Sequence, residues 1–284
     1  MAQDKDWDLI LKSKPGIFHL GLKEVIAYKD LIFLFAKRDI VAQYKQTILG
    51  PLWLVIQPLL TTAFFTIIFG KFAKFDTGGI PFPVFTLSGL TIWNFFASSL
   101  NKTSSVFLSN SSIFGKVYFP RLTVPISAII ANAITFVIQF MILILLLLYY
   151  KYIMNYDWEV NYVAAIGLPI LLIFSSMFGM GCGLIISSLT TKYRDLSFLI
   201  GFVLQFVMYF SSVVFPTENL PVKIQQILNF NPLIHFVHLF RAIVINSPLP
   251  ETSWLIYSSS FVFITLCAGI LVFNRVEKSF MDTV

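Results

Sequence analysis

Charged residues are scarce in this chain. Asp, Glu, Lys and Arg together make up 12% of its 284 residues, whereas hydrophobic residues make up 57%. An ordinary soluble domain carries about 25% charged residues. A soluble fold of this length needs more charge on its surface than this sequence supplies. The composition therefore excludes a soluble enzyme and predicts an integral membrane protein.

Residues that carry most enzyme chemistry are also few. The chain has two cysteines, Cys182 and Cys267, both in apolar segments, and three histidines, His19, His235 and His238, without metal-ligand spacing. It contains no GxxxxGK[ST] phosphate loop, so the sequence predicts no ATP site and no cofactor on this chain. No apolar segment carries a buried acid or base. That disfavours an ion-coupled secondary transporter and, still more, an intramembrane transferase.

Several long segments contain no Asp, Glu, Lys or Arg. Each approaches or exceeds the length of about 20 helical residues that crosses a hydrocarbon core. They are Pro51–Phe69, Pro83–Leu100, Leu122–Tyr150, Tyr162–Leu189, Leu196–Phe215 and Trp254–Phe273. The sequence therefore predicts an all-α fold with six transmembrane helices. The second segment is the weakest, because it is short and carries Ser88, Gly89 and Asn94.

The distribution of cations predicts how the chain is oriented. Of the 20 Lys and Arg residues, 15 fall in the N-terminal region, in the second and fourth loops and at the C-terminus. Lys and Arg near the ends of spans favour the cytoplasmic side. Both termini are therefore expected in the cytoplasm. The net charge of +6 matches basic residues beside anionic lipid headgroups, and no clustered basic face predicts nucleic-acid binding.

The segment Asp30–Gly50 is too polar to span and too apolar to be a free tail. On a helical wheel one arc holds Phe33, Ala36, Ile40 and Tyr44, and the opposite arc holds Arg38, Asp39, Lys45 and Gln46. This pattern predicts an interfacial helix over residues 30–50. It is either a simple lipid anchor or a helix whose polar face meets a cytoplasmic partner. Residues 1–29 form a cytoplasmic segment to which no motif gives a role.

The second cytoplasmic loop, Asn101–Arg121, is longer than a simple connection requires. Its Ser and Asn residues are typical caps of short helices. We expect a short helix that projects from the membrane toward a partner, with a solvated linker as the alternative. Phe107 and Phe114 are the candidate apolar anchors, and Lys116 lies beside them.

Residues 216–253 lie on the outer side of the predicted topology. Asn231 and Pro232 predict the start of a helix whose apolar run is too short to cross the membrane. Together with the residues before it, this helix predicts a re-entrant hairpin over residues 216–246. His235, His238 and Arg241 fall on one side of it at spacings of three. Arg241 reaches either lipid phosphates or protein groups, such as carbonyl oxygens or the Glu218 carboxylate.

Two stripes of residues at helical spacing lie inside the spans. Ser175, Gly179, Gly183 and Ser187 predict close helix packing. Aromatic and polar side chains mark faces of the first and fifth spans, either as a surface for sugar rings or as lipid-facing and packing side chains. These residues are Trp53, Gln57, Thr61, Phe64, Phe198, Phe202, Phe206, Tyr209 and Phe210.

Four runs occur in an order and spacing that resemble one family. They are RDIVAQYKQTILGPLWLVIQPL at Arg38–Leu59, KVYFPRLTVP at Lys116–Pro125, NPL at Asn231–Leu233 followed by Arg241, and the tail RVEKSFMDTV. Together they resemble the permease subunits of ABC-2 type polysaccharide exporters, which export O-antigen, capsular polysaccharide and teichoic acid. The resemblance runs from about residue 30 to the end.

The resemblance implies a homodimer of six-helix permeases in the bacterial inner membrane, bound to two copies of an ATPase that carries ATP and Mg. The transmembrane domain would be residues 51–284. Arg38, Asp39 and Tyr44 would lie at the cytoplasmic entrance, Phe107, Phe114 and Lys116 at the ATPase, and His235, His238 and Arg241 at an outer gate. A lipid-linked glycan of the O-antigen kind would be the substrate. A teichoic acid or capsule exporter of the same family, or a secondary transporter, is the alternative.

Overall fold

The computed structural model describes residues 22–45, 48–114, 116–117, 119–156, 158, 162–217 and 220–280. All regular elements in these ranges are helical. The α-helices are α1 (Leu22–Ala27), α2 (Lys29–Tyr44), α3 (Trp53–Phe65), α4 (Phe82–Ser104), α5 (Val106–Ser109), α6 (Ser111–Phe114), α7 (Thr123–Ile153), α8 (Tyr162–Ala165), α9 (Leu168–Thr190), α10 (Leu196–Tyr209), α11 (Val222–Leu228), α12 (Pro232–Ile245) and α13 (Thr252–Phe280). A 3-10 turn, Gly50–Leu52, precedes α3, and a π-helical segment, Thr66–Phe72, extends it.

Four helical runs in the described part of the chain are long and apolar enough to cross a membrane. They are Gly50–Phe72, Thr123–Ile153, Leu168–Thr190 and Thr252–Val276. A fifth is possible if α11 and α12 count as one span, although a bend of 97° separates them. The other two predicted spans, α4 and α10, are not among these four. Helix α4 is long enough but contains many polar residues, and α10 has only 14 residues. The fold is thus an all-helical membrane bundle.

Helix α9 lies between α4 and α13 at the centre of the bundle. The small residues predicted to pack do so: a Cβ atom built on Gly179 would lie 2.8 Å from the Ser99 Cβ, and one built on Gly183 would lie 2.6 Å from the Thr103 Cβ. On the opposite face Gly181 lies against α13. Such close approach of backbones is how helices pack in lipid, where no hydrophobic force drives them together.

Polar side chains on α7 hold that helix against α4. The Asn132 amide donates to the Phe95 carbonyl oxygen (2.8 Å) and to the Ser99 hydroxyl (2.9 Å), and the Asn94 amide donates to Gln139 (3.2 Å). Asn132 is 1% exposed. Buried polar groups in an apolar bundle require such partners, so these bonds fix the register of the two helices.

The segment predicted to be interfacial forms a helix that ends at Tyr44, before the predicted limit at Gly50, and one of its faces is buried against α7. Helix α2 ends at Tyr44 and packs on α7, burying Ile32, Phe35 and Ala36, while Phe33 is 61% exposed. The predicted arc with Phe33 stays a prediction, and Ala36 belongs both to that arc and to the face buried against α7. Residues 31–36 are all apolar, so the sequence there marks no single apolar side and packing against α7 decides it.

Helix α10 ends at Tyr209, well before the predicted limit of its span at Phe215. Ser212 has a left-handed backbone (φ 55°), and the chain turns there. The Asn231 amide donates to the Phe210 carbonyl oxygen (3.0 Å) and to the Ser211 hydroxyl (2.9 Å). Its side-chain oxygen accepts from the Leu233 N–H (3.1 Å), which confirms Asn231 as the N-cap of α12. The Asn231 side chain thus supplies hydrogen-bond partners both to the C-terminal end of α10 and to the N-terminal end of α12.

Candidate functional site

Arg241 lies where α4 begins and α10 ends, at what we call the α12 end of the bundle. Its side chain is 3% exposed. Nη2 donates to the carbonyl oxygens of Phe85 (3.2 Å) and Val213 (3.0 Å), and the guanidinium carbon lies 3.5 Å from the centre of the Phe85 ring. Longer bonds reach the hydroxyls of Ser88 (3.4 Å) and Ser212 (3.5 Å). Arg241 therefore joins α12 to the start of α4 and to the segment after α10.

The sequence leaves two kinds of partner open for Arg241, lipid phosphates and protein groups. In the structure its partners are protein groups. Backbone carbonyl oxygens accept its hydrogen bonds, and the burial of the side chain separates it from a lipid surface. Glu218, the carboxylate named as a possible partner, lies outside the described residues. A buried guanidinium with this many acceptors is fixed in orientation, because Arg presents its donors in a rigid planar fork.

The two histidines of α12 have different surroundings. His238 Nε2 lies 3.2 Å from the Ser212 hydroxyl oxygen, the same group that Arg241 contacts. His235 Nε2 lies 2.8 Å from the Asn229 carbonyl oxygen, and its ring stacks on Trp254 at 5.2 Å between centres. The structure thus brings His238 and Arg241 together and turns His235 toward α13.

A cavity of about 480 Å³ lies beside His238 and Arg241. Its other walls come from the loop at residues 76–80, from Phe85 and Pro216, and from residues 247–250. The loop is closed by its own hydrogen bonds, from the Thr77 hydroxyl to the Ile80 carbonyl oxygen and from the Gly78 N–H to the Asp76 carboxylate. With charged, polar and apolar groups in its wall, this cavity is suited to water or to hydroxyl groups.

The opposite end of the bundle, which we call the α5 end, carries α5 and α6. Two short helices within Asn101–Arg121 confirm that the loop is helical, but its aromatic rings point inward. Phe107 is fully buried and stacks on Phe273 of α13 (4.5 Å), and Phe114 is 3% exposed against Phe107 and Phe119. The prediction that they are exposed apolar anchors is therefore wrong, because the rings fill the gap between α2, α13 and the start of α7.

The side chains that this loop does expose are different ones. Leu108 is 37% exposed and Val117 is 61% exposed, and Lys116 is also exposed. Asn110 is buried, and its side-chain oxygen accepts from Arg38 Nη2 of α2 (3.3 Å). The loop is thus bonded to the interfacial helix on one side and exposes a mixed apolar and basic surface on the other.

The α2 residues predicted for the cytoplasmic entrance lie beside this loop. The Arg38 guanidinium forms an ion pair with Asp39 (2.8 Å) and lies 4.7 Å above the Phe35 ring. Both charged side chains are partly exposed. The Tyr44 side chain lies outside the described part of the structure. Arg38 therefore connects α2 to the short helices at the α5 end, a contact that no spacing in the sequence indicates.

The aromatic stripe of α10 is largely exposed. Phe198, Phe202, Phe206 and Phe210 are between 50% and 83% exposed, and the rings of Phe202 and Phe206 contact each other at 4.8 Å. Tyr209 contacts Phe65 of α3 at 6.4 Å. Phe65 is about 18 Å along the helix from Trp53, so within one copy Tyr209 lies beside the far end of α3 from Trp53.

The predicted face of α3 is exposed as well. Trp53 is 45% exposed, Phe64 is 59% exposed and Gln57 is exposed, while the Thr61 hydroxyl donates to the Gln57 carbonyl oxygen (2.9 Å). A glutamine carboxamide that faces outward from an apolar helix is costly in hydrocarbon. This face is therefore better suited to a polar path or to another protein surface than to lipid.

Sequence reasoning missed the residues that receive Arg241. Gly89 lies directly opposite: a Cβ atom built there would lie 2.7 Å from Arg241 Nη2 and closer still to the Val213 carbonyl oxygen. The sequence alone marks Gly89 only as a weakness of the second predicted span. A glycine and a serine one position apart on α4 are the signal, since both are unusual choices in a helix that only has to face lipid.

The apolar helices, the buried polar contacts between them and the arginine-centred α12 end define a multi-pass membrane protein. Comparison with protein families makes this specific: the chain belongs to the ABC-2 type transporter family, whose model matches residues 30–245. The match includes α2, the α5 end and α12. Membership in this family favours the permease subunit of an ABC exporter over an ion-coupled secondary transporter.

Several relatives cover nearly the whole chain. The O-antigen export system permease protein RfbA of Klebsiella pneumoniae is 26% identical over 255 residues, 89% of this chain and 94% of that protein. The polysialic acid transport protein KpsM of Escherichia coli is 26% identical over 247 residues, 87% and 93% respectively. The capsule polysaccharide export inner-membrane protein CtrC of Neisseria meningitidis is 24% identical over 268 residues, 90% and 95% respectively.

Proposed function

We propose that this chain is the transmembrane permease of an ATP-driven exporter that moves a lipid-linked polysaccharide of the O-antigen kind across the bacterial inner membrane. One observation carries the proposal: the relatives that cover about nine-tenths of the chain are named as export or transport proteins for O-antigen, polysialic acid and capsule. The second candidate substrate is a capsular polysaccharide or a teichoic acid, which would also be exported as a lipid-linked polymer.

The proposed permease has six spans with both termini in the cytoplasm. Support comes from contacts at the two ends of the bundle. The Gly167 end of α9 lies at Ile243 of α12 and its Ser187 at Phe107 of α5, and α13 contacts His235 through Trp254 and Phe107 through Phe273. In this topology the α5 end is cytoplasmic and the α12 end is external. The bent pair α11 and α12 is a re-entrant hairpin that does not cross.

Two copies of the permease enclose the path. The core of a single bundle is filled by its own side chains, with Phe95, Phe136 and Phe240 among them, so it has no room for a sugar polymer. The exposed faces of α3 and α10 are free to line a path between copies. Trp53, Gln57 and Phe64 contribute hydrogen bonds and ring surfaces from α3, and Phe198, which is 83% exposed, contributes a ring from α10.

ATP hydrolysis takes place on two copies of a partner ATPase, which binds the ATP and Mg. The partner seats on the exposed surface of the α5 end formed by Leu108, Lys116 and Val117. Because Asn110 accepts a hydrogen bond from Arg38, movement of the loop is transmitted to α2 at the cytoplasmic entrance. At the external end Arg241 and His238 hold the hairpin closed when no polymer is present.

Deletion of the gene from its host tests the proposal. We expect one surface polysaccharide to disappear and its lipid-linked precursor to accumulate on the cytoplasmic side, with restoration by a plasmid-borne copy. The chemistry of the lost polymer distinguishes O-antigen from capsule and teichoic acid. A deletion strain that retains every surface polysaccharide would contradict the proposal.

A further inference from the structure

A groove separates α10 from the rest of the bundle. It has a volume of about 860 Å³ and runs along α9 from Phe178 to Leu189 and along α10 from Leu196 to Phe210. At a rise of about 1.5 Å per residue its length along α10 is about 20 Å. The start of α12, at Asn231 and Pro232, limits it at the α12 end. The volume falls within the range of about 300–1,000 Å³ that small-molecule sites have.

The chemistry of the groove selects an aliphatic occupant. Apart from Asn231, the described side chains that line it are apolar, with Cys182 as a weakly polar exception. The Asn231 side chain is already bonded to Phe210, Ser211 and Leu233. A sugar or a nucleotide would leave its polar groups without partners there, and apolar cavities exclude water. A hydrocarbon chain has no such cost.

Cations mark the other end of the groove. Leu189 and Leu196 both line it, and the loop between them carries exposed Lys192 and Arg194 together with exposed Asp195. The Lys192 ammonium lies 5.2 Å from the Tyr193 ring. Lys and Arg at the end of a membrane helix reach the headgroup layer, and basic sites between helices bind anionic headgroups.

We propose that this groove binds an acyl chain of an anionic glycerophospholipid, with the lipid phosphate at Lys192 and Arg194. The lipid belongs to the leaflet at the α5 end and fills the space between α9 and α10. It is a resident lipid and goes beyond the transport proposed above. One leaflet occupies about half of a hydrocarbon core of about 30 Å, so its acyl chain fits a groove of this length. A polyprenyl carrier chain is several times longer than the groove.

Headgroup charge sets the selectivity, because every membrane lipid supplies hydrocarbon. The loop at residues 190–195 carries a net charge of one, from Lys192, Arg194 and Asp195. One positive charge near an anionic surface is equivalent to about 1 kcal/mol, or about fivefold. We therefore expect phosphatidylglycerol to be enriched about fivefold over phosphatidylcholine in the groove.

A photoreactive phospholipid tests the site. The full chain is reconstituted in phosphatidylethanolamine vesicles that contain phosphatidylglycerol with a diazirine in its acyl chain, and the labelled peptides are mapped by mass spectrometry. Adducts are expected on α9 and α10. The variant Cys182→Trp fills the groove and should reduce these adducts at least tenfold. Cys267→Trp is the matched control, because Cys267 is exposed on α13.

A charge variant tests the headgroup separately and does not depend on core packing. The double variant Lys192→Gln and Arg194→Gln leaves Asp195 as the only charge of the loop, so the fivefold preference for phosphatidylglycerol should be lost or reversed. Its control is Lys29→Gln with Lys37→Gln, which removes two exposed cations from α2 at the same end of the bundle.

Three results would overturn the proposal. They are equal labelling by phosphatidylcholine, labelling that Cys182→Trp leaves unchanged, and displacement of the label by a polyprenyl phosphate in preference to phosphatidylglycerol. The last would assign the groove to the carrier lipid of the substrate. Loss of polysaccharide export is not a readout of this experiment, so the lipid site and the transport function fail independently.

Discussion

At the scale of single residues, Arg241 determines how the α12 end is closed. Its guanidinium has carbonyl acceptors on α4 and on the segment after α10, and it lies over the Phe85 ring. These acceptors belong to separate parts of the chain. A shift of α12 therefore has to break several charge-assisted bonds together, which are stronger than neutral hydrogen bonds.

The first prediction concerns Arg241→Ala. Loss of its bonds should lower the free energy of unfolding by about 1–3 kcal/mol and loosen the hairpin, since buried carbonyl oxygens lose their donor. We expect ion conductance through the assembled permease in liposomes without ATP, at a level that the wild type lacks. His235→Ala is the control, because His235 faces Trp254. A tight Arg241→Ala channel with normal export would reject the gate.

The second prediction concerns the glycine opposite Arg241. In Gly89→Ala the new methyl group would overlap the Val213 carbonyl oxygen and the Arg241 guanidinium, so stability should fall by about 1–3 kcal/mol, the usual cost of overpacking. Gly201→Ala on α10 is the matched control, because no atom lies within 4 Å of its added Cβ. Thermal unfolding in detergent measures both. Equal melting temperatures for the two variants would show that the Gly89 contact can relax.

At the scale of elements, the loop Asn101–Arg121 has an inner and an outer surface. Its buried rings form a continuous cluster from Phe35 of α2 through Phe119, Phe114 and Phe107 to Phe273 of α13. Because the rings are in contact, the loop and the two helices should move as one unit. Replacing Phe107 would damage folding rather than partner binding.

The third prediction concerns the outer surface of this loop. Leu108→Asp with Val117→Asp should weaken binding of the ATPase at least tenfold, because exposed apolar anchors contribute over-proportionally to interfaces. Insertion and thermal stability should change little. Ser105→Asp with Ser112→Asp, at two exposed serines, controls for the two added charges. Co-purification with the ATPase at wild-type levels by the double variant would place the partner elsewhere.

Elements with a strong local pattern could be predicted from the sequence. Asn231 followed by Pro232 predicts the start of α12, and the small residues of α9 predict its close packing, as the structure has them. The direction of the Phe107 and Phe114 rings could not be predicted, because polar neighbours suggested exposure and the partner Phe273 is far away in sequence. The same holds for α2, whose apolar run of six residues fits several faces equally.

At the scale of the whole molecule, the fourth prediction concerns the dimer. In a variant without native cysteines, Phe64→Cys on the exposed face of α3 should form cross-links between two copies. Leu145→Cys on α7, which is 66% exposed, should not, because the proposed path between copies is lined by α3 and α10 and not by α7. A purified complex with a single permease for each pair of ATPases would contradict a path between copies.

The proposed function requires that this chain, together with a separate ATPase, moves a lipid-linked polysaccharide across the membrane. The most direct test reconstitutes the purified complex in vesicles loaded on one leaflet with the lipid-linked glycan and measures its accessibility to a glycosidase on the other side. We predict glycan transfer that requires ATP on the α5 side and stops when the Walker lysine of the ATPase is replaced. Transfer that continues without ATP, or that follows an ion gradient, would contradict the account.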